Sequence, residues 1–462
     1  MKQTNVIQDS SGILGIFGSE DAANSAYYGL HAMQHRGQDG VGIAVSNGET
    51  VSCIKGLGLL SETISSASLQ DLKGSIAIGQ VRMATTGDSQ LENVQPIMVR
   101  AHQGHFAIVT SGMITNAITL RNQLEEEGLI FQGTSDAELI AHLIQIHPGK
   151  FVDKIRGVVQ MIEGAYNFMI ATRDSLYVMR DPYGIHPLSM GKNDQGTIFS
   201  SETCSFGILG AHFEREVNPG ELLCLCPDKV ESIQLVPVHK KTTCAMEYVY
   251  FSRPDSIVNT QTVHEVRTRC GEALARQEDV QADMVIGVPD TATSAAVAFA
   301  RVSKMPYEIG LMKNRYIGST FIRPTKQQRQ EGMRVRLNAI SSVLKGKRVI
   351  LVDDSIVKGS TAKRLSVLLK EAGAKEVHLR IASPKISYPC LYGTERTRQE
   401  ELAAYNYTEE EMCALFQVES IRFLSLEDFK KCIPDTSCLA CFNGNYSAKL
   451  CDYIKEIKEI NY

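Results

Sequence analysis

Between residues 348 and 383 the chain reads RVILVDDSIVKGSTAKRLSVLLKEAGAKEVHLRIAS, and no other stretch limits the fold as tightly. A Val/Ile run delivers two adjacent carboxylates, Asp353 and Asp354, into a polar turn. An amphipathic segment then runs to Gly373, and a second apolar run follows. That order is a βαβ unit, with two parallel strands in one sheet and the helix on its face. Open α/β sheets bind their ligands at the carboxyl ends of the strands, so the Asp pair stands at a binding edge. Gly359, Ser360 and Thr361 open the helix, where free backbone N–H groups and the helix dipole favour a phosphate. Two carboxylates beside a phosphate loop suit a phosphorylated sugar. They can take ribose hydroxyls and, directly or through water, the Mg²⁺ that neutralises a departing pyrophosphate. An exposed acidic pair followed by an ordinary helix cap is the competing reading of the two Asp alone. The complete strand, DDS, KGST and helix arrangement turns the balance towards a site.

Elsewhere the chain has two textures. Residues 12–240 read mostly as short strands with polar turns, at 106–112, 167–181, 196–202 and 220–227. Helical periodicity interrupts them at 25–35 and 136–146, a pattern that suits stacked sheets with helices outside. After about residue 245 strand, loop and helix alternate. A boundary near 240 rests on this change, and 462 residues are enough for two or more domains. A net charge of -4 gives no global basic excess to hold a nucleic-acid backbone, so no nucleic-acid partner is expected. No apolar stretch approaches the roughly 18 residues of a bilayer-spanning helix, so no membrane partner is expected either. The start, MKQTNVIQDSS, is polar. A cytoplasmic location is therefore expected, where the 12 Cys stay reduced and serve metal ligation, catalysis or packing.

Residues 349–361 resemble the phosphoribosyl-pyrophosphate (PRPP) signature of type I phosphoribosyltransferases. VIGVPDTATSAA at 285–296, GLMKNRYIGSTFIRP at 310–324, EYVYFSRPDS at 247–256, YYGLHAMQHRGQDGVGI at 27–43 and ENVQP at 92–96 extend the likeness over most of the chain. Together they resemble the amidophosphoribosyltransferase family. The resemblance implies an N-terminal Ntn-hydrolase-like αββα sandwich over 11–240, of the class II glutamine amidotransferase kind. It implies a type I phosphoribosyltransferase α/β domain over 241–462, with a cluster-binding tail. The implied reaction is the first committed step of purine synthesis, in which nitrogen from glutamine displaces pyrophosphate at C1 of PRPP to give 5-phosphoribosylamine. By the same likeness Ser294, Asp353 and Asp354 organise Mg²⁺, while Ser355, Lys358, Gly359, Ser360 and Thr361 bind the 5′-phosphate. Lys313, Asn314, Arg315 and Tyr316 belong to the pyrophosphate side, and the basic stretch from Arg323 to Arg336 closes over PRPP. Ser319 stands where the family usually has Arg, which bears on pyrophosphate affinity. Purine nucleotides as inhibitors and a homodimer or homotetramer are further implications.

The glutaminase half departs from the family at two chemical positions. An Ntn glutaminase uses an N-terminal Cys, whose thiolate attacks the amide while its α-amino group acts as base. Here Ser11 precedes Gly12-Ile13-Leu14-Gly15, and the first Cys is Cys53. The family's oxyanion Asn-Gly pair is replaced by Ser111-Gly112, and losing one such donor costs about two to three powers of ten in rate. Arg82, Thr85 and Asp136 match the glutamine pocket. The expectation is an impaired glutaminase and a reaction fed mainly by ammonia. Serine is an N-terminal nucleophile in other Ntn hydrolases, so removal of the first ten residues with weak amidase activity stays open. A non-catalytic PRPP- or nucleotide-binding regulator of a functional amidotransferase is the competing reading of the whole chain.

Cys438-Leu439-Ala440-Cys441 forms a CxxC, and Cys244 and Cys390 match the family's two distant cluster positions. The resemblance implies a structural [4Fe–4S] cluster on these four, with zinc as the chemical competitor. Cys432 and Cys451 lie close in sequence; the remaining Cys read as packing residues, and His35 as a structural or pocket-lining residue.

Overall fold

The computed structural model describes residues 11–84, 90–101, 104–314, 337–393 and 397–456. Apolar alternation in the first half produces strands β1 (Gly12–Phe17), β2 (Gly40–Ser46), β3 (Val51–Leu57), β4 (Ile76–Arg82), β5 (Ile97–Ala101), β6 (Gly104–Ile114) and β7 (Gly164–Ala171). They continue as β8 (Leu176–Arg180), β9 (Ser189–Asn193), β10 (Gly196–Ser200), β11 (His212–Glu216), β12 (Glu221–Cys226) and β13 (Lys229–Gln234). One antiparallel sheet has the order β11-β9-β10-β1-β4-β2-β3, and the other β13-β12-β8-β7-β6-β5. Their inner faces meet through Ile13, Ile78, Val109, Met169, Val178 and Leu223.

Alternation along each strand sends the next residues outward. Phe168 and Ile170 thus pack in one core with α2 (Ala117–Glu126), α3 (Asp136–Ile146) and α4 (Phe151–Met161), which bury Leu120, Leu124, Ile140, Leu143, Ile155 and Val158. On the opposite side Leu30 of α1 (Ala22–Ala32) covers Val41, Ile43 and Val81. The architecture is the αββα sandwich that the resemblance implies. The helical pattern read at 25–35 stops at Ala32 and tightens into a 3₁₀ turn over Gln34–Arg36. There Arg36 turns inward to buried carboxylates. The pattern at 167–181 divides into β7 and β8 at a turn closed by the Thr172 N–H donating to the Ser175 carbonyl at 2.9 Å.

In the second half β14 (Thr243–Cys244) precedes a parallel sheet of β15 (Met284–Gly287), β16 (Arg348–Asp353), β17 (Glu376–Ile381) and β18 (Ser420–Phe423), in that order. Helices α5 (Val263–Arg276) and α6 (Thr293–Ser303) place Leu274 and Phe299 in one core with Ile350 and Val352. Helices α7 (Ser360–Glu371) and α8 (Glu409–Phe416) place Leu365, Leu369 and Met412 against Val349 and Leu351 on the other face. The βαβ unit read at 348–383 is therefore β16, α7 and β17, with both faces covered as a parallel sheet requires. A last strand, β19 (Ser437–Cys438), pairs in parallel with β14 and sets Cys438 level with Cys244. Among the described residues no helix is long and apolar enough to cross a membrane.

Candidate active site

Asp353 ends β16 in the interior of the parallel sheet, and both it and Asp354 are buried. The Asp354 N–H donates to Asp353 Oδ1 at 2.9 Å, and the Ser355 hydroxyl donates to Asp354 Oδ1 at 2.7 Å. The Thr291 hydroxyl donates to the other oxygen of Asp354. Burial, then the neighbouring Asp354 carboxylate, pushes Asp353 well above the usual carboxylate range. Burial also raises Asp354, against the bonds from Ser355 and Thr291. Such a pair is relieved by a divalent cation, so the donor set fits Mg²⁺.

Gly359 caps α7 at φ +79, and a Cβ there would lie 2.5 Å from Phe416. Only glycine lets the loop close against α8. Beside it the Ser360 hydroxyl is buried without a hydrogen-bond partner among the described groups. A free hydroxyl at a helix N-terminus, among unpaired backbone N–H groups, is a cradle for an anion. Lys358 Nζ stands 3.5 Å from Glu401.

The other expected residues divide. Ser294, in the first turn of α6, has its hydroxyl 3.0 Å from His264 Nδ1, and it is Thr291 that touches Asp354. Lys313 Nζ lies 2.7 Å from Asp290, the residue before Thr291, which brings it to the same loop. Asn314 follows directly. Arg315, Tyr316, Ser319 and the stretch from Arg323 to Arg336 lie outside the described residues, as does Thr85.

The second candidate pocket lies at the other end of the chain. Ser11 is buried just ahead of β1, at φ 39, and its hydroxyl accepts the Met83 N–H at 3.1 Å. Neighbouring β4 ends at buried Arg82, whose guanidinium burial pushes down while Asp39 opposes the shift. Gln80, on the same strand, donates to the Thr110 carbonyl at 2.7 Å and ties the two sheets beside Ser111 and Gly112. Gly112 sits at φ +92, where a Cβ would fall 2.1 Å from the Ala165 carbonyl oxygen. Asp136 opens α3, and its carboxylate accepts the Ile114 N–H at 2.9 Å, two residues beyond Gly112. Burial pushes Asp136 up to about 6.

Cys244, Cys390, Cys438 and Cys441 line one cavity with Ile185, His186 and Met246. All four are free thiols, and burial raises Cys244, Cys441 and Cys438, the last to about 12. Among the described residues no three His, Cys, Asp or Glu side chains converge to hold a single metal ion. Four thiols spread round an apolar cavity fit the donor set of an iron–sulfur cluster.

No local pattern marks a third feature. Arg36, on the first half, lies between Glu202 at 2.9 Å and Glu247 at 2.8 Å, all fully buried. His35 Nε2 stands 2.9 Å from Glu202, and the Arg253 N–H and Ser256 hydroxyl donate to the same carboxylate at 2.6 and 2.7 Å.

Residues 80–207 match the glutamine amidotransferase domain family, and residues 264–388 match the phosphoribosyl transferase domain family. The amidophosphoribosyltransferase of Bacillus subtilis (strain 168) is 43% identical over 454 residues, covering 96% of this chain and 95% of that one. That of Methanocaldococcus jannaschii is 42% identical over 460 residues, covering 95% and 98%. The solved structure of the B. subtilis glutamine PRPP amidotransferase, complexed with ADP and GMP, superposes with a TM-score of 0.90 over 95% of this chain and 98% of that one. Two domain families in order, near-full-length identity and a shared fold agree: the chain belongs to the amidophosphoribosyltransferase family, PRPP-dependent pentosyltransferases of purine biosynthesis.

Proposed function

We propose that this chain makes 5-phosphoribosylamine from PRPP chiefly with ammonia, residues 241–462 carrying the reaction while residues 11–240 keep a glutamine pocket with little turnover. The observation that carries this reading is the contrast between its two sites. Hydroxyls stand at the nucleophile and oxyanion positions, Ser11 and Ser111, whereas the run from Asp353 to Thr361 keeps buried carboxylates, the cap glycine and a Ser360 hydroxyl with no partner among the described residues. A serine hydroxyl lacks the ready ionisation of a thiol, and its oxyanion support is altered as well. A non-catalytic regulator that binds PRPP would use the same residues, so turnover rather than binding separates the two readings.

In this reading Ser355, Lys358, Gly359, Ser360 and Thr361 hold the 5′-phosphate, and Asp353 and Asp354 take the ribose hydroxyls. Asp353, Asp354 and Ser294 would hold Mg²⁺, which when bound supplies charge neutralisation to the leaving pyrophosphate. Lys313, Asn314, Arg315 and Tyr316 orient that pyrophosphate. The nitrogen bonds C1 as the C1–O bond to pyrophosphate breaks, and a proton then leaves the nitrogen. Positioning and charge dominate such a displacement, so the protein needs no nucleophile of its own. Cys244, Cys390, Cys438 and Cys441 would hold a structural [4Fe–4S] cluster. The B. subtilis relative is complexed with ADP and GMP. We extend purine-nucleotide inhibition, homo-oligomerisation and a cytoplasmic location to this chain.

The test is PRPP-dependent pyrophosphate release by anaerobically purified protein, with ammonium chloride and glutamine in parallel and Asp353→Asn/Asp354→Asn as blank. Release with ammonium and about 100-fold less with glutamine is expected. Equal rates would overturn the ammonia reading. Silence with both, in folded protein that binds PRPP, would establish the regulator.

A further inference from the structure

Two residues separate Cys390 from Gly393, which carries φ +109. A Cβ on Gly393 would lie 2.7 Å from both the Cα and the carbonyl carbon of Gly112, and 3.0 Å from its oxygen. Two glycine backbones from opposite halves of the molecule therefore touch with no room for a methyl group between them. Gly112 is closed in from its other sides as well, since its own Cβ would meet the Ala165 carbonyl and lie 3.1 Å from His186 Cδ2.

His186 is fully buried and donates from Nε2 to the Tyr392 carbonyl at 2.5 Å. It also lines the cavity shared by the four cysteines. Tyr392 is fixed in turn, its hydroxyl donating to the Ala448 carbonyl and accepting the Ala448 N–H, both at 2.8 Å. The segment from Cys390 to Gly393 is thus anchored in the cysteine cavity at one end and against Gly112 at the other.

We infer that Gly393, held by His186, is a positioning residue for the Ser111–Gly112 peptide and couples the cysteine cavity to the glutamine pocket. The inference rests on reading that peptide as part of the pocket. A displacement of about 1 Å at a group that must meet a reacting atom costs on the order of 100-fold. The backing residue therefore matters without touching substrate. It also gives the cavity a role at the glutamine site: an occupant that orders Cys390 orders Gly112.

The test compares Gly393→Ala and His186→Gln with the unaltered protein, all full length and anaerobically purified. Hydrogen–deuterium exchange is followed at residues 108–116 and 348–361, with glutamine affinity measured by calorimetry. Exchange at 108–116 should rise about tenfold and glutamine affinity fall about tenfold in Gly393→Ala, with 348–361 unchanged. His186→Gln should shift both readouts the same way and less. Unchanged exchange at 108–116 in Gly393→Ala overturns the inference. If that variant also loosens 348–361 and so unfolds, His186→Gln decides by the same criterion. Should the unaltered protein bind no glutamine, the pocket reading fails, and the exchange comparison still decides whether Gly393 positions the peptide.

Discussion

Asp136 opens α3 with its carboxyl buried, and the Ile114 N–H offsets only part of the cost, so it titrates near 6 rather than 3.8. The sign of the linkage follows. The folded protein keeps a proton that the unfolded chain releases from about pH 4 upward, so this group's contribution to stability declines as pH rises through that interval. A substrate ammonium beside the carboxylate would reverse the preference. By its proposed role, glutamine affinity should strengthen as pH rises through about 6 and level off above it. Asp136→Asn should flatten the profile and weaken binding about tenfold or more, the worth of a charge-assisted hydrogen bond. Calorimetric titrations across this range check both statements, and an unchanged profile would remove Asp136 from the pocket. At this scale the sequence was legible wherever a site is contiguous: Asp353 to Thr361 lies within one strand–loop–helix turn. Thr291 was not, because its bond to Asp354 spans 63 residues and depends on β15 lying beside β16. Ser294, to which family resemblance points, has its hydroxyl at His264.

The elements that present these residues carry their own consequences. Gly359 holds the start of α7 in a left-handed conformation against Phe416. Gly359→Ala should cost at least about 1–2 kcal/mol of stability from the backbone alone, and should weaken PRPP binding as the loop moves off Phe416. Denaturant unfolding and PRPP titration measure the two separately; unchanged PRPP affinity would place the phosphate elsewhere. The short ladder of β14 with β19 makes a second prediction. Cys438→Ser with Cys441→Ser should remove the brown colour, iron and sulfide from anaerobically purified protein. Stoichiometric zinc in the unaltered chain would overturn the cluster. Helix α3 was readable from its apolar spacing, residue for residue, because Ser135 caps it and its buried face is continuous. Helix α1 was read three residues past its end, to 35 rather than Ala32. Apolar periodicity has no means of registering that Arg36 leaves the pattern to enter a charge cluster.

That cluster belongs to the whole molecule, since it joins Arg36 and Glu202 of the first half to Glu247 of the second. Burial by itself would raise both carboxyls. Arg36 and His186 together outweigh it at Glu247 and hold that group at about 2, while His35 and Arg36 hold Glu202 far below the usual range. Carboxylates with depressed values contribute stability that is present above their unfolded value of 4.5 and is lost as pH falls towards the folded values. The junction between the halves should therefore loosen below about pH 4.5. Met113, Tyr183 and Ile185 share one apolar core with Ala245 and Tyr248 across the same junction, and that packing is indifferent to pH. Arg36→Met separates the two contributions. Removing the cation alone breaks two buried ion pairs, which costs about 3–5 kcal/mol, whereas neutralising all three groups together is far less costly. Arg36→Met should thus lower the thermal midpoint by several degrees at pH 7, with proteolytic nicking concentrated between residues 235 and 245. Adding Glu202→Gln and Glu247→Gln should restore most of the loss, and only a coupled cluster predicts that recovery. A cost below about 1 kcal/mol for Arg36→Met would mean that the apolar packing alone holds the halves together, since breaking two buried ion pairs cannot be that cheap.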